Sequence, residues 1–247
     1  MRNPEISLVS AQEVRAVVET MKDILGSESI EHVLLSGGFS NLWQSDTDAY
    51  LPNGEYVRLL EAVARHCNQP LLGACLGDLL PFADLGPIGR YVSAAPTSVE
   101  ALRRASRTLK YHESGSDCKL RIQGDLFRLN YQPPTPRALG SWQQCDGTAS
   151  LLVNLIRTFE GPDWKPEVLR LAAASGARAE HLTQFFGVDV GYIETGVELI
   201  GRADPVKPEK AEIPTAIVTE WRRSRICDQT NGSSVSQQKN DATAPQG

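Results

Sequence analysis

Long apolar runs are absent from the sequence. The opening MRNPEISLVS lacks the apolar core of a secretory signal, and no stretch approaches the roughly 20 apolar residues that span a bilayer. The most apolar run, residues 71–88, is interrupted by Asp78, Asp84 and two prolines. The sequence therefore predicts a soluble, cytoplasmic protein that does not enter a membrane.

Cysteines and basic residues are also scarce. The five cysteines are an odd number without closely spaced pairs: Cys67, Cys75, Cys118, Cys145 and Cys227. This pattern favours reduced thiols over a disulfide framework or a zinc site. The 25 lysines and arginines are outnumbered by 30 acidic residues, which leaves a net charge of −5. Such a balance argues against a surface built to neutralise nucleic-acid phosphates.

Catalytic signatures are missing as well. The chain has no nucleophile elbow, phosphate-binding Walker loop or dinucleotide glycine fingerprint. Its histidines, His32, His66, His112 and His181, each lie more than 30 residues from the next, so no pair sits one helical turn apart. We predict no catalytic residues, no cofactor and no metal, and an enzyme is the least favoured alternative.

The first half of the chain is predicted to be helical. Ser10 and Glu13 form a capping-box pattern at the start of a helix. Thr97 and Glu100 repeat this pattern before a helix that reaches about His112. Further helices are expected in three places: residues 30–35, the segment after Pro52, and residues 85–91.

The second half contains strand patterns around one long helix. From Cys118 the apolar period changes from 3.6 to 2, and Gly124-Asp125 between two alternating runs predicts a hairpin over residues 120–131. Ser141–Glu160 is the longest periodic helix and is expected to cover the sheet. The remaining predicted elements are a strand over 168–171, a helix over 179–186 and a second hairpin over 190–200.

These elements predict an α+β fold. In it, a helical N-terminal half packs with an antiparallel sheet, which is built from two hairpins and covered by the long helix. Beyond about Ala203 the apolar period fades, and the last segment is polar and free of aromatic residues. We therefore predict a folded domain over residues 1–202 and a linker with a disordered tail over residues 203–247.

Aromatic side chains near the predicted junction of helices and sheet are candidates for a small-molecule site. Such a site combines apolar walls with a few polar tips. Tyr91, Tyr131, Trp142 and Trp164 have this placement, although aromatic residues at core spacing are also ordinary core residues. We expect Tyr91, His112, Tyr131 and Trp142 to lie near a bound ligand.

Several segments, in order, resemble the arabinose-binding type of N-terminal domain found in AraC-family transcription regulators. They lie between residues 30 and 206 and include LPNGEYVRLLEAVAR (51–65), LLGACLGD (71–78), LGPIGRYVSAAPTSVEALRRASRTL (85–109), LRIQGDLFRLNY (120–131) and HLTQFFGVDVGY (181–192). The segment 85–109 is the most specific, because it joins a Leu-Gly-x-x-Gly element to Ala-Pro-Thr and the helix that follows.

The resemblance implies a domain that binds a small-molecule effector, forms a homodimer and controls a DNA-binding domain. In the family, that domain follows at the C-terminus with two helix-turn-helix units, which are not expected in this chain, so contact with DNA is expected only through it. A fragment of a regulator and a stand-alone sensor both remain open. An alternative of another class is a ligand-free interaction module, in which the exposed face of the helix from Ser141 holds two chains together.

Overall fold

The computed structural model describes residues 6–39 and 49–203. Eight α-helices lie in this part of the chain: α1 (Ala11–Leu25), α2 (Ser27–Ser36), α3 (Asn53–His66), α4 (Leu72–Leu79), α5 (Gly86–Ser93), α6 (Ser98–His112), α7 (Ser141–Glu160) and α8 (Gly176–Phe186). The strands are β1 (Leu8–Ser10), β2 (Tyr50–Pro52), β3 (Asp117–Gln123), β4 (Leu126–Gln132), β5 (Val168–Ala172), β6 (Val190–Ile193) and β7 (Val197–Arg202). The α+β class is thus confirmed.

Two sequence predictions concern the chain as a whole. The described residues end at Ala203, so the predicted linker and tail beyond it lie outside them. Among the helices that the structure describes, none is long and apolar enough to cross a membrane.

Hydroxyl caps begin helices α1 and α6 where the sequence predicts them. The Ser10 hydroxyl accepts a hydrogen bond from the backbone N–H of Gln12 at 3.3 Å, and the Thr97 hydroxyl accepts one from Glu100 at 3.2 Å. Glu13 does not complete its capping box, because its carboxylate lies against the side chain of His112. This departure turns the Glu13 side chain away from the backbone of its own helix and towards the end of α6.

The first predicted hairpin is confirmed. Strands β3 and β4 pair antiparallel with Gln123 opposite Leu126, which leaves Gly124 and Asp125 as the turn. Gly124 has a φ of +63°, whereas Asp125 is not among the residues with positive φ. This combination is the one that a type II′ turn requires, with glycine in its first central position.

The second predicted hairpin is wrong. The main sheet has the order β3-β4-β7-β5-β6, so β5 lies between β6 and β7. Strand β6 runs parallel to β5, while β7 runs antiparallel to both β5 and β4, which makes the sheet mixed rather than antiparallel. The chain crosses the end of β5 between residues 193 and 197, where the backbone N–H of Ala172 donates to the carbonyl of Gly196 at 3.1 Å. Alternating side chains indicate strands but not their partners, so residues 190–200 looked like a hairpin.

Helix α7 lies inside the domain. It covers the sheet as predicted, because Leu152 and Ile156 share an apolar cluster with Leu169 on β5 and Leu199 on β7. Thirteen of its residues are buried, and Thr158 alone is classed as exposed. The helix therefore has no exposed face on which a second chain could pack, which removes the surface that the interaction-module alternative invoked.

Glycines bring α4 and α7 into direct backbone contact. A Cβ atom added at Gly73 would lie 1.9 Å from the carbonyl oxygen of Gln143, and one added at Gly77 would lie 2.2 Å from that of Gly147. Both distances are far inside van der Waals contact, so only glycine permits this approach. The contact joins the helical layer to the helix that covers the sheet.

We expect Gly77→Ala to lower the free energy of unfolding by about 1 to 3 kcal/mol, because the added methyl group forces α4 away from α7. Urea unfolding followed by circular dichroism measures the change. Gly54→Ala on α3 is the matched control, since a Cβ atom there meets nothing within 4 Å. We expect this control to be neutral or stabilising by up to about 1 kcal/mol. Equal effects of the two substitutions would contradict the close-packing argument.

Candidate ligand-binding site

A cavity of about 80 Å³, here called the main cavity, lies between α5, α6 and α7 and ends at β3 and β4. Its apolar walls include Phe82, Leu85, Ile88, Val92, Leu109 and Leu152. Its polar lining consists of Glu13, Thr108, His112, Glu113, Cys118, Tyr131 and Thr148. Apolar walls with a few convergent polar groups are typical of small-molecule sites.

Strand β1 fixes the polar end of the main cavity. The backbone N–H of Leu8 donates to the Ser114 hydroxyl, and the N–H of Ser114 donates to the Leu8 carbonyl, each at 2.8 Å. Val9 also forms an isolated antiparallel bridge with Glu113. Because β1 continues directly into α1, these bonds bring the first turn of α1 against the last turn of α6.

Glu13 and His112 meet at this junction. Nε2 of His112 lies 2.7 Å from Oε2 of Glu13, although its N–H is not aligned for a hydrogen bond. Burial by itself would lower the pKa of His112, but the charges of Glu13 and Glu113 outweigh that effect, and the pKa is raised above its ordinary value of 6.5. The acidic side chain lies at a helix N-terminus and the basic side chain at a helix C-terminus, the ends that favour their charged forms.

Glu113 is buried beside this pair. Its Oε2 accepts a hydrogen bond from the Tyr131 hydroxyl at 2.8 Å, and its Oε1 accepts from the amides of Asn53 at 3.2 Å and of Gln144. Burial and the charge of Glu13 together raise the pKa of Glu113 from 4.5 to about 8, against the opposing hydrogen bonds of Tyr131 and Ser116 and the opposing charge of the neighbouring imidazole. The carboxyl group is therefore mostly neutral at pH 7.

Two further spaces adjoin the main cavity. The inner cavity, about 30 Å³, shares Glu13, Leu85, Thr148 and Leu151 with it and continues towards α4. The outer pocket, about 180 Å³, shares Leu85, Ile88 and His112 with the main cavity and is lined on its other side by β2 and the end of α6. His112 therefore borders both the enclosed space and the more open one.

The structure brings together two of the four sequence-predicted site residues. His112 and Tyr131 both line the main cavity and are linked through Glu113. Tyr91 is 52% exposed on α5, where the Arg104 guanidinium lies 4.7 Å from its ring centroid. Trp142 is half-buried on α7, and neither it nor Tyr91 lines the cavities described above. Trp164, the other aromatic candidate, stacks on Phe127 with the ring centroids 6.3 Å apart and lines none of these cavities.

Comparison with known proteins decides the family. The model of the arabinose-binding domain of AraC transcription regulators, an N-terminal domain, matches residues 29–203, which is more than half of the chain. The chain belongs to this AraC-type domain family. No curated protein matches it in sequence.

One solved structure similar to this AraC-type domain is the crystal structure of the transcriptional regulator CdpR from Pseudomonas aeruginosa. The two chains share 19% identity with a TM-score of 0.50, and the match covers 76% of this chain and 57% of the other. The match thus spans little more than half the length of that regulator. At this level of identity, the likeness is one of fold alone. The family assignment identifies a domain of a transcription regulator rather than an enzyme.

Sequence reasoning missed the two carboxylates of the AraC-type domain that face the cavity. Glu13 fits a capping box, and Glu113 directly follows the last residue of a helix, outside any motif that the sequence shows. The signal that could have found them is the pair His112-Glu113, which places adjacent titratable groups at a helix end. In the described part of the chain, no cluster of three or more histidine, cysteine or acidic side chains could hold a metal ion.

The raised pKa of Glu113 predicts how stability depends on pH. Between pH 4.5 and about 8 the folded domain keeps a proton on Glu113 that the unfolded chain releases, so the free energy of unfolding falls as the pH rises. The expected slope from this group is at most about 1.4 kcal/mol per pH unit. The pKa of His112 is also raised, so this group too stabilises the folded domain at low pH and loses that contribution as the pH rises.

Glu113→Gln replaces the neutral carboxyl with a neutral amide of the same shape. We expect the variant to fold at pH 6 and to show a flatter dependence of stability on pH than the parent between pH 6 and 8.5. Urea unfolding at a series of pH values measures the difference. Parallel curves for the two proteins would mean that Glu113 is ionised in the folded domain at neutral pH.

Proposed function

We propose that this AraC-type domain binds a small effector in the main cavity and passes the binding event to a DNA-binding domain of a transcription regulator. The observation that carries the proposal is an apolar cavity between the helical layer and the sheet that ends on Glu13, His112, Glu113 and Tyr131. Buried titratable groups are costly to a domain that needs only stability, so their concentration at one cavity supports a binding role.

The position of the cavity suggests how binding could be transmitted. Its polar end joins the start of α1 to the end of α6, and its walls include α7, which packs on the main sheet. A ligand that binds one arrangement of these elements more tightly than another shifts the equilibrium towards that arrangement. The size of the shift is set by the difference between the two affinities. In this proposal the domain also joins two copies of the regulator and works in the cytoplasm, as the family resemblance implies.

A cavity-filling substitution tests the site. Ala105 on α6 lines the main cavity, and Ala105→Met places three additional heavy atoms towards that space. Arg107→Met is the matched control, because Arg107 is exposed on the same helix and lines none of the cavities described. Thermal unfolding of both variants and the parent is measured with a panel of amino acids, amines, aromatic acids, fatty acids and pentoses.

We expect a bound compound at 100 times its Kd to raise the Tm of the parent and of Arg107→Met by roughly 5 to 10 °C. The same compound should leave the Tm of Ala105→Met unchanged, because the methionine occupies its place. A compound that binds all three proteins equally would show that the effector site lies elsewhere. A dimer in sedimentation experiments whose stability ignores every compound would favour the ligand-free interaction module instead.

A further inference from the structure

The cavities of the proposed site are lined by more acidic than basic side chains. Glu13 and Glu113 are acidic, and His112 is the one basic residue among the side chains that line the main cavity, the inner cavity and the outer pocket. Among the residues that the structure describes, no lysine or arginine borders any of the three. An anionic ligand would therefore meet two carboxyl groups and no free cation.

We propose that the effector is a small apolar amine whose ammonium group binds at Glu113 and whose hydrocarbon body fills the main cavity. This inference rests on the proposed function, because it names the chemical class of ligand for the same site. It goes beyond the arabinose of the family description, and it excludes sugars and carboxylic acids as good ligands of this chain.

Glu113 is the acidic group without a cationic hydrogen-bond partner. The His112 imidazole lies 2.7 Å from Glu13, whereas the hydrogen bonds to the Glu113 carboxyl group come from the neutral donors Tyr131, Asn53 and Gln144, with Ser116 as a further neutral donor. An ammonium group supplies the full positive charge that these neutral donors lack.

An unpartnered oxygen lies next to Glu113. The amide nitrogen of Gln144 donates to Oε1 of Glu113, while its amide oxygen is buried without a hydrogen-bond partner among the described residues. Gln144 is 5% exposed and lines the inner cavity. A protonated amine has three N–H donors. It can therefore donate a hydrogen bond to the amide oxygen of Gln144, whereas a carboxylate or an ether has no N–H or O–H group to donate.

The walls of the main cavity limit the rest of the ligand. A cavity of about 150 Å³ holds a benzene ring, so the 80 Å³ found here suits a chain of three or four carbon atoms. A pentose carries a hydroxyl group on nearly every carbon atom and would leave most of them against apolar side chains such as Ile88, Val92 and Leu109. Unpaired polar groups in such a place are costly, which favours an alkyl body.

The proton on Glu113 makes the affinity for an amine depend on pH. Glu113 is largely neutral at pH 7, so binding of an ammonium group must release its proton, and affinity should rise about tenfold between pH 6.5 and 8. The titratable groups that act on Glu113 are Glu13 on α1, Tyr56 on α3, His112 on α6, Tyr131 on β4 and Cys145 on α7.

The test compares butylamine with three matched probes on the intact 247-residue chain. These are 1-butanol, which has the same shape without the charge, butanoate, which reverses the charge, and arabinose. Isothermal titration calorimetry at pH 6.5 and 8, in buffers of different ionisation enthalpy, gives affinities and proton release. We expect butylamine to bind at least about tenfold more tightly than any other probe and to release a proton.

Glu113→Gln should weaken butylamine binding by roughly thirtyfold and abolish proton release, because the ammonium loses its counter-charge. Glu61→Gln is the matched control, since Glu61 is a buried carboxylate on α3 that pairs with Arg65 and lines none of the cavities. Its affinity for butylamine should equal that of the parent. Circular dichroism at pH 6 checks that both variants fold.

Each outcome decides the question. Tight binding of butylamine that depends on Glu113 and not on Glu61 supports the proposal. Binding of butanoate, 1-butanol or arabinose in preference to butylamine overturns it, yet leaves the proposed function intact if Ala105→Met abolishes that binding. Failure of butylamine to bind the parent at pH 8, or binding unaffected by Glu113→Gln, also overturns it.

Discussion

Burial of helix α7 on nearly every side is the constraint on which the rest of the structure depends. An internal helix must satisfy most of its polar side chains without bulk water, and four of those on α7 bond to different neighbours. Gln143 accepts from the backbone N–H of Gly73, Gln144 donates to Glu113, Asp146 pairs with Arg178, and Asn154 donates to the Asp78 carbonyl at 2.9 Å. These bonds tie α4, α6 and α8 to one central element.

The same burial explains the electrostatics of the domain. Burial raises the pKa of Asp146 to about 7 despite the charge of Arg178, just as it raises that of Glu113. The difference lies in the partners, because Asp146 has a guanidinium beside it while Glu113 has neutral donors and a cavity. Asp146 is therefore a structural acidic group with a cationic partner, whereas Glu113, which bonds to Gln144 of α7, is a candidate binding group without one.

The candidate site was only half visible in the sequence. His112 and Tyr131 were expected near a ligand because they lie at the predicted junction of helices and sheet, and both do line the main cavity. Tyr91 and Trp142 were chosen by the same reasoning, but aromatic type and helical position do not reveal which way a side chain points. Glu13 is about a hundred residues from Glu113 along the chain, so only pairing of β1 with the end of α6 makes them neighbours.

The sequence by itself determined most of the elements, because helix caps, glycine stops and apolar periods act within a few residues. Helix Ser141–Glu160 and the hairpin at Gly124 follow from such local rules. Only the tertiary structure decided that β5 separates β6 from β7, that α7 is internal, and that two carboxylates face one cavity. Strand order and cavity lining depend on contacts between distant segments, and the energy of those contacts has no signature in any short stretch of residues.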